Sequence, residues 1–415
     1  MIIRRDYYLG KLIRKKNNGL VKIITGMRRS GKSFLLFNLF KTHLLESGIE
    51  KNHIIEVAFD DYANKELRNP DAFCPMVKEQ LSDIKNYYLL LDEVQLLGDF
   101  EAVLNGLLRI SNLDIYVTGS NANFLSKDII TEFRGRGDEI HIFPFSFSEL
   151  MQVRKDRSAA FREYCTFGGL PPVVLLDSKD DKRSLLGSLY LETYVQDIIN
   201  RNSIRNDDEL KDLISILSSE IGSLANPQRI ADTFKSVNHA NISPNTISKY
   251  IGFLEDSFII SEAQRYDVKG RKYIGTPKKY YFTDMGIRNH IINYRQDEPT
   301  HIMENVIYNE ILARGYNPDV GVVEIQKREG NGKPSRSQLE IDFICNKASE
   351  RIYIQSAWMI PDKQKLEQET RPLRMSGDSF KKIILVQNGQ DPWYTEDGIL
   401  VMDVIDFLMD SKALD

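Results

Sequence analysis

Short apolar runs rich in β-branched residues alternate with helical patterns through the first 150 residues. The runs are "LVKIITG" from Leu20, "HIIEVAF" from His53, "YYLLLDE" from Tyr87, "LDIYVTG" from Leu113 and "EIHIFPF" from Glu139. Strands that are hydrophobic along nearly their whole length are typical of a parallel sheet with helices on both faces. We therefore predict an α/β domain over residues 1–150. The Gly and Pro punctuation of "FGGLPP" at 167–172 marks its exit, through a helical connector over 151–205.

Helical spacing dominates the next part of the chain. Apolar residues recur with a helical period over 207–221, a second helix is predicted over Pro227–Val237, and Ser243 with Pro244 can start a third. Two strands, "FIISEAQRY" and "KKYYFTD", then flank the segment "DVKGRKYIGTP". Three helices followed by a hairpin predict a winged-helix domain over residues 206–295.

The last part, residues 296–415, has the pattern helix, strand, strand, helix, strand, helix, which predicts a further compact α/β unit. The composition agrees with a globular protein, because 42% of the 415 residues are hydrophobic and 27% are charged. Its three cysteines, Cys74, Cys165 and Cys345, are far apart, which argues against a zinc site or a disulfide framework. Neither a signal peptide nor a membrane-spanning run is evident, so we expect a cytoplasmic protein that is not embedded in a membrane.

The stretch "GMRRSGKS" fits the pattern G-x-x-x-x-G-K-[ST], with a predicted strand before it and a helix after it. In such a P-loop, backbone N–H groups cradle phosphate, Lys32 reaches the β and γ phosphates, and the Ser33 hydroxyl is a ligand of Mg²⁺. A chance match is the alternative, but the flanking pattern favours nucleotide binding. The predicted nucleotide-binding residues are Gly26, Met27, Arg28, Arg29, Ser30, Gly31, Lys32, Ser33 and Phe34.

Two acidic residues end the predicted buried strand "YYLLLDEVQ". We expect Asp92 to join Ser33 in the magnesium shell and Glu93 to polarise the attacking water. A buried strand that happens to end in two acids is the alternative for this fragment taken alone. Together with the P-loop, the pair predicts binding of a nucleoside triphosphate and Mg²⁺ and hydrolysis of that nucleotide.

Further polar residues follow the next strand. Ser120 or Asn121, in "VTGSNA", could sense the γ-phosphate or orient water, although a simple turn explains the same residues equally well. Arg134 or Arg136, in "FRGRGDE", could reach the γ-phosphate of a neighbouring subunit, although most arginines pair on a surface. A role in trans would require a homo-oligomer.

With these motifs the chain resembles the bacterial and archaeal AAA-type ATPases that carry a C-terminal domain of unknown function. The segments "VTGSNANFLSKDI", "FRGRGDEIHIFPFSFSEL", "YCTFGGLPPVV", "YLETYVQDII" and "TISKYIGFLEDSFII" look like successive landmarks of that family, and the similarity spans nearly the whole chain. The resemblance implies an α/β protein with a P-loop ATPase core, a winged helix and a C-terminal fold of the restriction-nuclease type. It implies ATP as the nucleotide and supports the roles given above to Lys32, Ser33, Asp92, Glu93 and the two arginines.

Nucleases of that fold use an acid from a helix, an Asp on one strand and Glu-x-Lys on the next. Here Glu304 and Asp342 occupy the first two places, but "YIQSAW" supplies Gln355 and Ala357 where the fold requires Glu and Lys. Gln is a weaker ligand for a hard cation, and Ala carries no positive charge. A lysine arriving from elsewhere, such as Lys363 or Lys365, would not restore the second carboxylate. We therefore predict a degenerate, inactive nuclease fold.

The predicted wing is basic although the chain has a net charge of −4. Between 265 and 279, six cationic residues face only Asp267; they are Arg265, Lys269, Arg271, Lys272, Lys278 and Lys279. The candidate DNA contacts are Lys269, Arg271 and Lys272 on the wing and Asn245, Ser248 and Lys249 on the preceding helix. A solvated hairpin on a domain that contacts another protein is the alternative.

These features support three hypotheses. The first is a Mg²⁺-dependent ATPase whose nucleotide state repositions the C-terminal module on DNA or on a protein partner. The second is a nucleotide-gated assembly switch with little turnover, and the third and weakest is an ATP-dependent DNA nuclease.

Overall fold

The computed structural model of the protein describes residues 2–119, 135–237, 241–295, 298–328 and 334–414. The chain divides into two compact units. Unit 1 consists of Met1–Pro144 with Asp256–Phe258, and unit 2 of Phe145–Glu255 with Ile259–Asp415. Over the described ranges, no helix combines the length and the apolar character that crossing a membrane requires.

Unit 1 is built on a parallel sheet with the five strands predicted from the sequence. They are β1 (Val21–Thr25), β2 (Ile54–Ala58), β3 (Tyr87–Asp92), β4 (Leu113–Thr118) and β5 (Gly137–His141). Their order is β2-β3-β4-β1-β5, and every neighbouring pair in the described sheet is parallel. The prediction of an α/β fold with a parallel sheet is confirmed.

Helices cover both faces of this sheet. They are α1 (Asp6–Arg14), α2 (Lys32–Phe34) continued by a π segment (Leu35–Phe40) into α3 (Lys41–Glu46), α4 (Pro70–Gln80) and α5 (Phe100–Leu107). Side chains of β3 alternate between two hydrophobic clusters, with Leu89 and Leu91 in one and Tyr88 and Leu90 in the other. Because both faces are covered, every residue of β3 is buried, and the strand therefore appears in the sequence as a continuous apolar run.

Unit 2 begins with helices. They are α6 (Phe147–Leu150), α7 (Arg157–Phe167), α8 (Pro171–Val174), α9 (Lys179–Ser188) joined by a π segment (Leu189–Val195) to α10 (Gln196–Asn202), α11 (Asp207–Ser219), α12 (Pro227–Val237) and α13 (Pro244–Asp256). The predicted start of α13 is confirmed, because the Ser243 hydroxyl accepts a hydrogen bond from the Thr246 amide at 3.1 Å.

The eight described strands of unit 2 form one mixed sheet. They are β6 (Ile260–Asp267), β7 (Lys272–Phe282), β8 (Asn317–Arg328), β9 (Pro334–Lys347), β10 (Glu350–Ala357), β11 (Lys381–Val386), β12 (Trp393–Tyr394) and β13 (Leu400–Asp403), in the order β12-β13-β11-β10-β9-β8-β6-β7. The helices among them are α14 (Met285–Ile291), α15 (Pro299–Ala313), α16 (Lys363–Arg374) and α17 (Val404–Met409).

This sheet differs from the predicted pattern in two ways. Most of the segment predicted to separate the hairpin strands belongs to β7. In addition, three strands precede α16 where two were expected, namely β8, β9 and β10. Pro277 is tolerated within β7 because β7 is an edge strand. Because β6 pairs with β8, the hairpin and the C-terminal strands share one sheet. The four-domain division and the winged-helix and nuclease-like interpretations stay predictions.

Asp284 ties the start of α14 to the "FGGLPP" segment. One oxygen of this buried carboxylate accepts from the Ile287 amide at 3.1 Å, and the other accepts from the Gly169 amide at 2.7 Å. Burial raises the pKa of Asp284 to about 6, and the backbone hydrogen bonds oppose that rise. Gly168 has φ +73°, and a Cβ at this position would lie 2.2 Å from the Asp284 carboxylate. Only glycine fits there.

We expect Gly168→Ala to destabilise the protein by roughly 1 to 3 kcal/mol more than Gly398→Ala does. Gly398 also has φ +73°, but a Cβ added there would meet nothing within 4 Å, so this position controls for backbone strain alone. Thermal and urea unfolding of the two variants measure the difference. Equal destabilisation would show that the contact with Asp284 does not constrain position 168.

Candidate functional site

The loop between β1 and α2 has the backbone conformation of a tight turn. Gly26, Arg29 and Gly31 have φ values of +137°, +64° and +94°. A Cβ at position 26 would lie 2.1 Å from the Ile142 carbonyl oxygen, so the close packing of the loop requires glycine there. The helix begins at Lys32, which leaves the N–H groups of its first turn to face the loop.

The side chains of the loop divide into buried and exposed groups. Lys32 is buried, and its ammonium donates to the carbonyls of Gly26 at 2.9 Å and Met27 at 3.0 Å. The Ser30 hydroxyl is fully buried and has no hydrogen-bond partner among the described residues. The other predicted binding residues are placed as follows: Met27 is buried, Arg28 is half-buried, and Arg29, Ser33 and Phe34 are exposed.

Asp92 lies at the carboxyl end of β3, where hydroxyl groups from two directions reach it. The Thr118 hydroxyl at the end of β4 donates to Asp92, and the Ser33 hydroxyl of α2 lies near the same carboxylate. Burial raises the pKa of Asp92, and these two hydroxyl groups oppose the rise. The structure therefore brings together the two residues predicted to hold magnesium.

Glu93 follows in a left-handed conformation, with φ 50° and ψ 49°. Its backbone amide donates to the Thr118 hydroxyl at 3.1 Å, and the Gln95 amide contacts its carboxylate. A non-glycine residue held in this region stores backbone strain, which is concentrated at functional sites. Thr118, which the sequence analysis did not select, thus contacts both acidic residues.

Of the remaining predicted catalytic residues, the structure describes Arg136. Ser120, Asn121 and Arg134 lie outside the described residues. Arg136 is exposed just before β5, and its backbone carbonyl accepts from the Val21 amide at 2.9 Å. Its predicted role in trans stays a prediction.

Arg5 is a second residue that the sequence analysis missed. Its side chain is fully buried, and its guanidinium donates to the Ser30 carbonyl at 2.8 Å, the Phe143 carbonyl at 2.8 Å and the Pro144 carbonyl at 3.4 Å. It therefore links the P-loop to the segment that follows β5. An arginine in "MIIRRDYY" gives no periodic signal, so only the fold identifies this role.

Comparisons with known proteins place the chain in a family. Residues 18–151 match the model of an AAA domain, and residues 158–298 match a domain of unknown function. A protein of Haemophilus influenzae described as uncharacterized is 34% identical, and the alignment covers 98% of this chain and 99% of the relative. The chain belongs to the AAA-type ATPases that carry a C-terminal domain of unknown function.

More distant similarities add no function. The uncharacterized protein MJ1544 of Methanocaldococcus jannaschii is 25% identical, with 98% of this chain and 90% of the relative covered. The Aeropyrum pernix ORC1 protein, solved in complex with DNA, is 12% identical with a TM-score of 0.29, covering 71% of this chain and 93% of that chain. A TM-score this low transfers no property to this ATPase family member.

The basic hairpin of unit 2 is less positive than its sequence suggested. Lys278 forms an ion pair with Glu262 at 2.5 Å, and Lys279 is buried between carboxylates. Lys269, Arg271 and Lys272 remain exposed around the turn. The candidate DNA contacts on α13, Asn245, Ser248 and Lys249, are exposed as well.

The three residues predicted to be degenerate nuclease positions meet in unit 2. Glu304 of α15, Asp342 of β9 and Gln355 of β10 line one pocket of about 340 Å³. The Asp342 carboxylate accepts from the Ser356 amide at 2.7 Å. Lys365 also lines this pocket but forms an ion pair with Glu369 at 2.6 Å. Lys279 of β7, not Lys363 or Lys365, is the lysine that pairs with Glu304.

We expect Arg5→Met to destabilise unit 1 by roughly 2 to 4 kcal/mol, because charge-assisted hydrogen bonds to buried carbonyls are lost. We also expect weaker ATP binding, because the Ser30 carbonyl loses its donor. Arg4→Met is the matched control, since Arg4 is exposed beside it in the sequence. Thermal unfolding and binding of a fluorescent ATP analogue measure both effects. Indistinguishable variants would show that Arg5 does not support the loop.

Proposed function

We propose that the protein is a Mg²⁺-dependent ATPase whose catalytic centre lies at the carboxyl ends of β1 and β3. The observation that carries this proposal is that the hydroxyl groups of Ser33 and Thr118 both lie at the buried carboxylate of Asp92. The strained residue Glu93 follows directly after Asp92. Three separate segments converge there, as a phosphate and metal site requires.

The residues present fit ATP and Mg²⁺. Gly26 allows the backbone to turn tightly, the buried Ser30 hydroxyl is without a partner among the described residues, and Lys32 lies against the loop with its ammonium on carbonyl oxygens. Ser33 and Asp92 would hold the magnesium ion, which neutralises charge on the phosphates when bound. Lys32 would bind the β and γ phosphates.

Glu93 is the residue we assign to the attacking water. Its left-handed backbone turns the chain away from β3, while its amide stays fixed to the Thr118 hydroxyl. A carboxylate held beside the metal shell can accept a proton from water as the phosphoryl group leaves. The Gln95 amide, which contacts this carboxylate, would orient it.

We expect Glu93→Gln to retain ATP binding and to lower the rate of hydrolysis by about 10²- to 10⁴-fold, because the amide cannot accept the proton. Lys32→Ala, by contrast, should weaken ATP binding in addition to lowering the rate of hydrolysis, since it removes the phosphate-binding charge. Glu79→Gln, which neutralises an exposed acid of α4, is the control. Steady-state phosphate release and equilibrium ATP binding give the two readouts.

If Glu93→Gln hydrolysed ATP at the rate of the parent protein, another residue would have to activate the water. Nucleotide-dependent oligomer size without turnover in the parent protein would favour the assembly switch. If Arg136 or Arg134 acts in trans, specific activity should rise with protein concentration as the homo-oligomer forms. A monomer with constant specific activity would contradict that arrangement.

We further propose that the nucleotide state controls contact between unit 2 and a partner, either DNA or another protein. DNA is supported by the exposed cations Lys269, Arg271 and Lys272 and by the polar exposed side of α13. Contact with a protein is supported by the ion pairs of Lys278 and Lys279 with carboxylates. These pairs reduce the positive charge that the hairpin could offer to DNA phosphates.

If DNA is the partner, duplex DNA should stimulate ATP hydrolysis, and the stimulation should fade as salt rises from about 50 to about 200 mM. The triple variant Lys269→Ala, Arg271→Ala, Lys272→Ala should lose this response at low salt. The control is Lys155→Ala, Lys179→Ala, Lys412→Ala, which removes the same charge from other exposed positions of unit 2. A rate that does not respond to DNA would favour the protein partner.

A further inference from the structure

A buried lysine occupies the centre of the acidic pocket in unit 2. Lys279, on β7, is only 4% exposed, and its ammonium lies 2.9 Å from a Glu304 oxygen and 2.8 Å from a Glu340 oxygen. Glu304 comes from α15 and Glu340 from β9, so the lysine joins three elements. The Tyr281 hydroxyl, also from β7, donates to the same Glu304 oxygen at 2.6 Å.

The charges around this ammonium explain how it can be buried. Burial opposes the charged form of Lys279, but the carboxylates of Glu304, Glu340 and Asp342 outweigh it and raise its pKa. Asp342 shows the complementary effect, because burial and then the charge of Glu304 raise its pKa well above the usual range, while Lys279 lowers it. The lysine is therefore the cation that compensates this cluster.

A divalent cation does not fit this pocket as it stands. Mg²⁺ or Ca²⁺ would need carboxylate oxygens at about 2.0 to 2.6 Å. The oxygens of Glu304 and Glu340 instead face an ammonium group, at distances normal for charge-assisted hydrogen bonds. Across the described ranges, no group of three or more His, Cys, Asp or Glu side chains is arranged to hold a metal ion. The metal implied by a nuclease fold and the residues present here disagree.

We propose that the Lys279 ammonium stands in the place of the divalent cation, and that the pocket is a metal-free ion-pair centre. Glu304, Glu340 and Asp342 then form a latent cation site that only the lysine keeps closed. This proposal concerns unit 2 alone and does not depend on the ATPase activity proposed for unit 1.

The replacement has two consequences. An ammonium has no coordination position for water, so the pocket cannot activate a metal-bound hydroxide as nucleases of this fold do. The same lysine also anchors the hairpin, because β7 carries Lys279 and Tyr281 into contact with α15. The pocket is therefore a structural link between the hairpin and the C-terminal part of unit 2.

The test is Lys279→Ala, with thermal unfolding measured in EDTA and in MnCl₂ without nucleotide. Loss of the buried cation leaves the carboxylates uncompensated, so we expect the unfolding temperature in EDTA to fall by roughly 5 to 15 °C. Mn²⁺ should restore about half or more of that loss by binding the opened site. The double variant Lys279→Ala, Glu304→Gln should lose the restoration.

Lys278→Ala is the matched control, because Lys278 is the neighbouring residue and its ion pair is partly exposed. Lys278→Ala should unfold at the same temperature in EDTA as in Mn²⁺, and the same should hold for the wild type. Electron paramagnetic resonance gives a second readout: wild type and Glu304→Gln should bind equal numbers of Mn²⁺ ions, whereas Lys279→Ala should gain about one. If Lys279→Ala folds only when Mn²⁺ is present, that result equally supports the proposal.

Two results would overturn it. One is a Mn²⁺ ion bound by the wild-type protein and lost in Glu304→Gln, which would mean that the lysine does not exclude the metal. The other is a Lys279→Ala protein that neither binds Mn²⁺ nor gains stability from it, which would mean that the carboxylates do not form a latent site.

Discussion

A charged group withdrawn from water must meet a partner inside the protein, and both units depend on this constraint. Arg5 is fully buried and meets three backbone carbonyls. Lys22 on β1 is fully buried beside Asp114 of β4. Lys279 lies between Glu304 and a second carboxylate. Each contact joins segments distant in sequence, so the need to satisfy charge fixes which segments pack together.

The two units use this constraint for different ends. In unit 1, hydroxyl groups contact the buried Asp92 carboxylate, and the adjacent Glu93 is held in a strained conformation. In unit 2, the corresponding acidic residues are neutralised by a lysine of the protein itself. The protein therefore combines a polar centre in unit 1, which we propose binds ATP and Mg²⁺, with an acidic pocket in unit 2 that Lys279 closes by ion pairing.

Sequence patterns predicted the α/β fold and the parallel sheet of unit 1 because burial leaves a local signature. The five strands of unit 1 and the capped start of α13 were all found. Two expectations failed. The segment "DVKGRKYIGTP" was predicted to separate the hairpin strands, but most of it belongs to strand β7. Lys279 was assigned to the basic wing, but it is buried, because a linear pattern does not show which side chains of a strand the rest of the fold covers.

The sequence alone determined the α/β class, the P-loop and the acidic pair Asp92 and Glu93, because a phosphate-binding turn and a buried strand are encoded by residues close together in the chain. Only the tertiary structure decided the roles of Arg5, Thr118 and Lys279. Their partners lie about 25 residues away in the sequence for Thr118 and for the Lys279–Glu304 pair, and up to more than 100 residues away for Arg5. A lone arginine, threonine or lysine carries no periodic or spaced signal, so its partner becomes known only when the fold brings the two together.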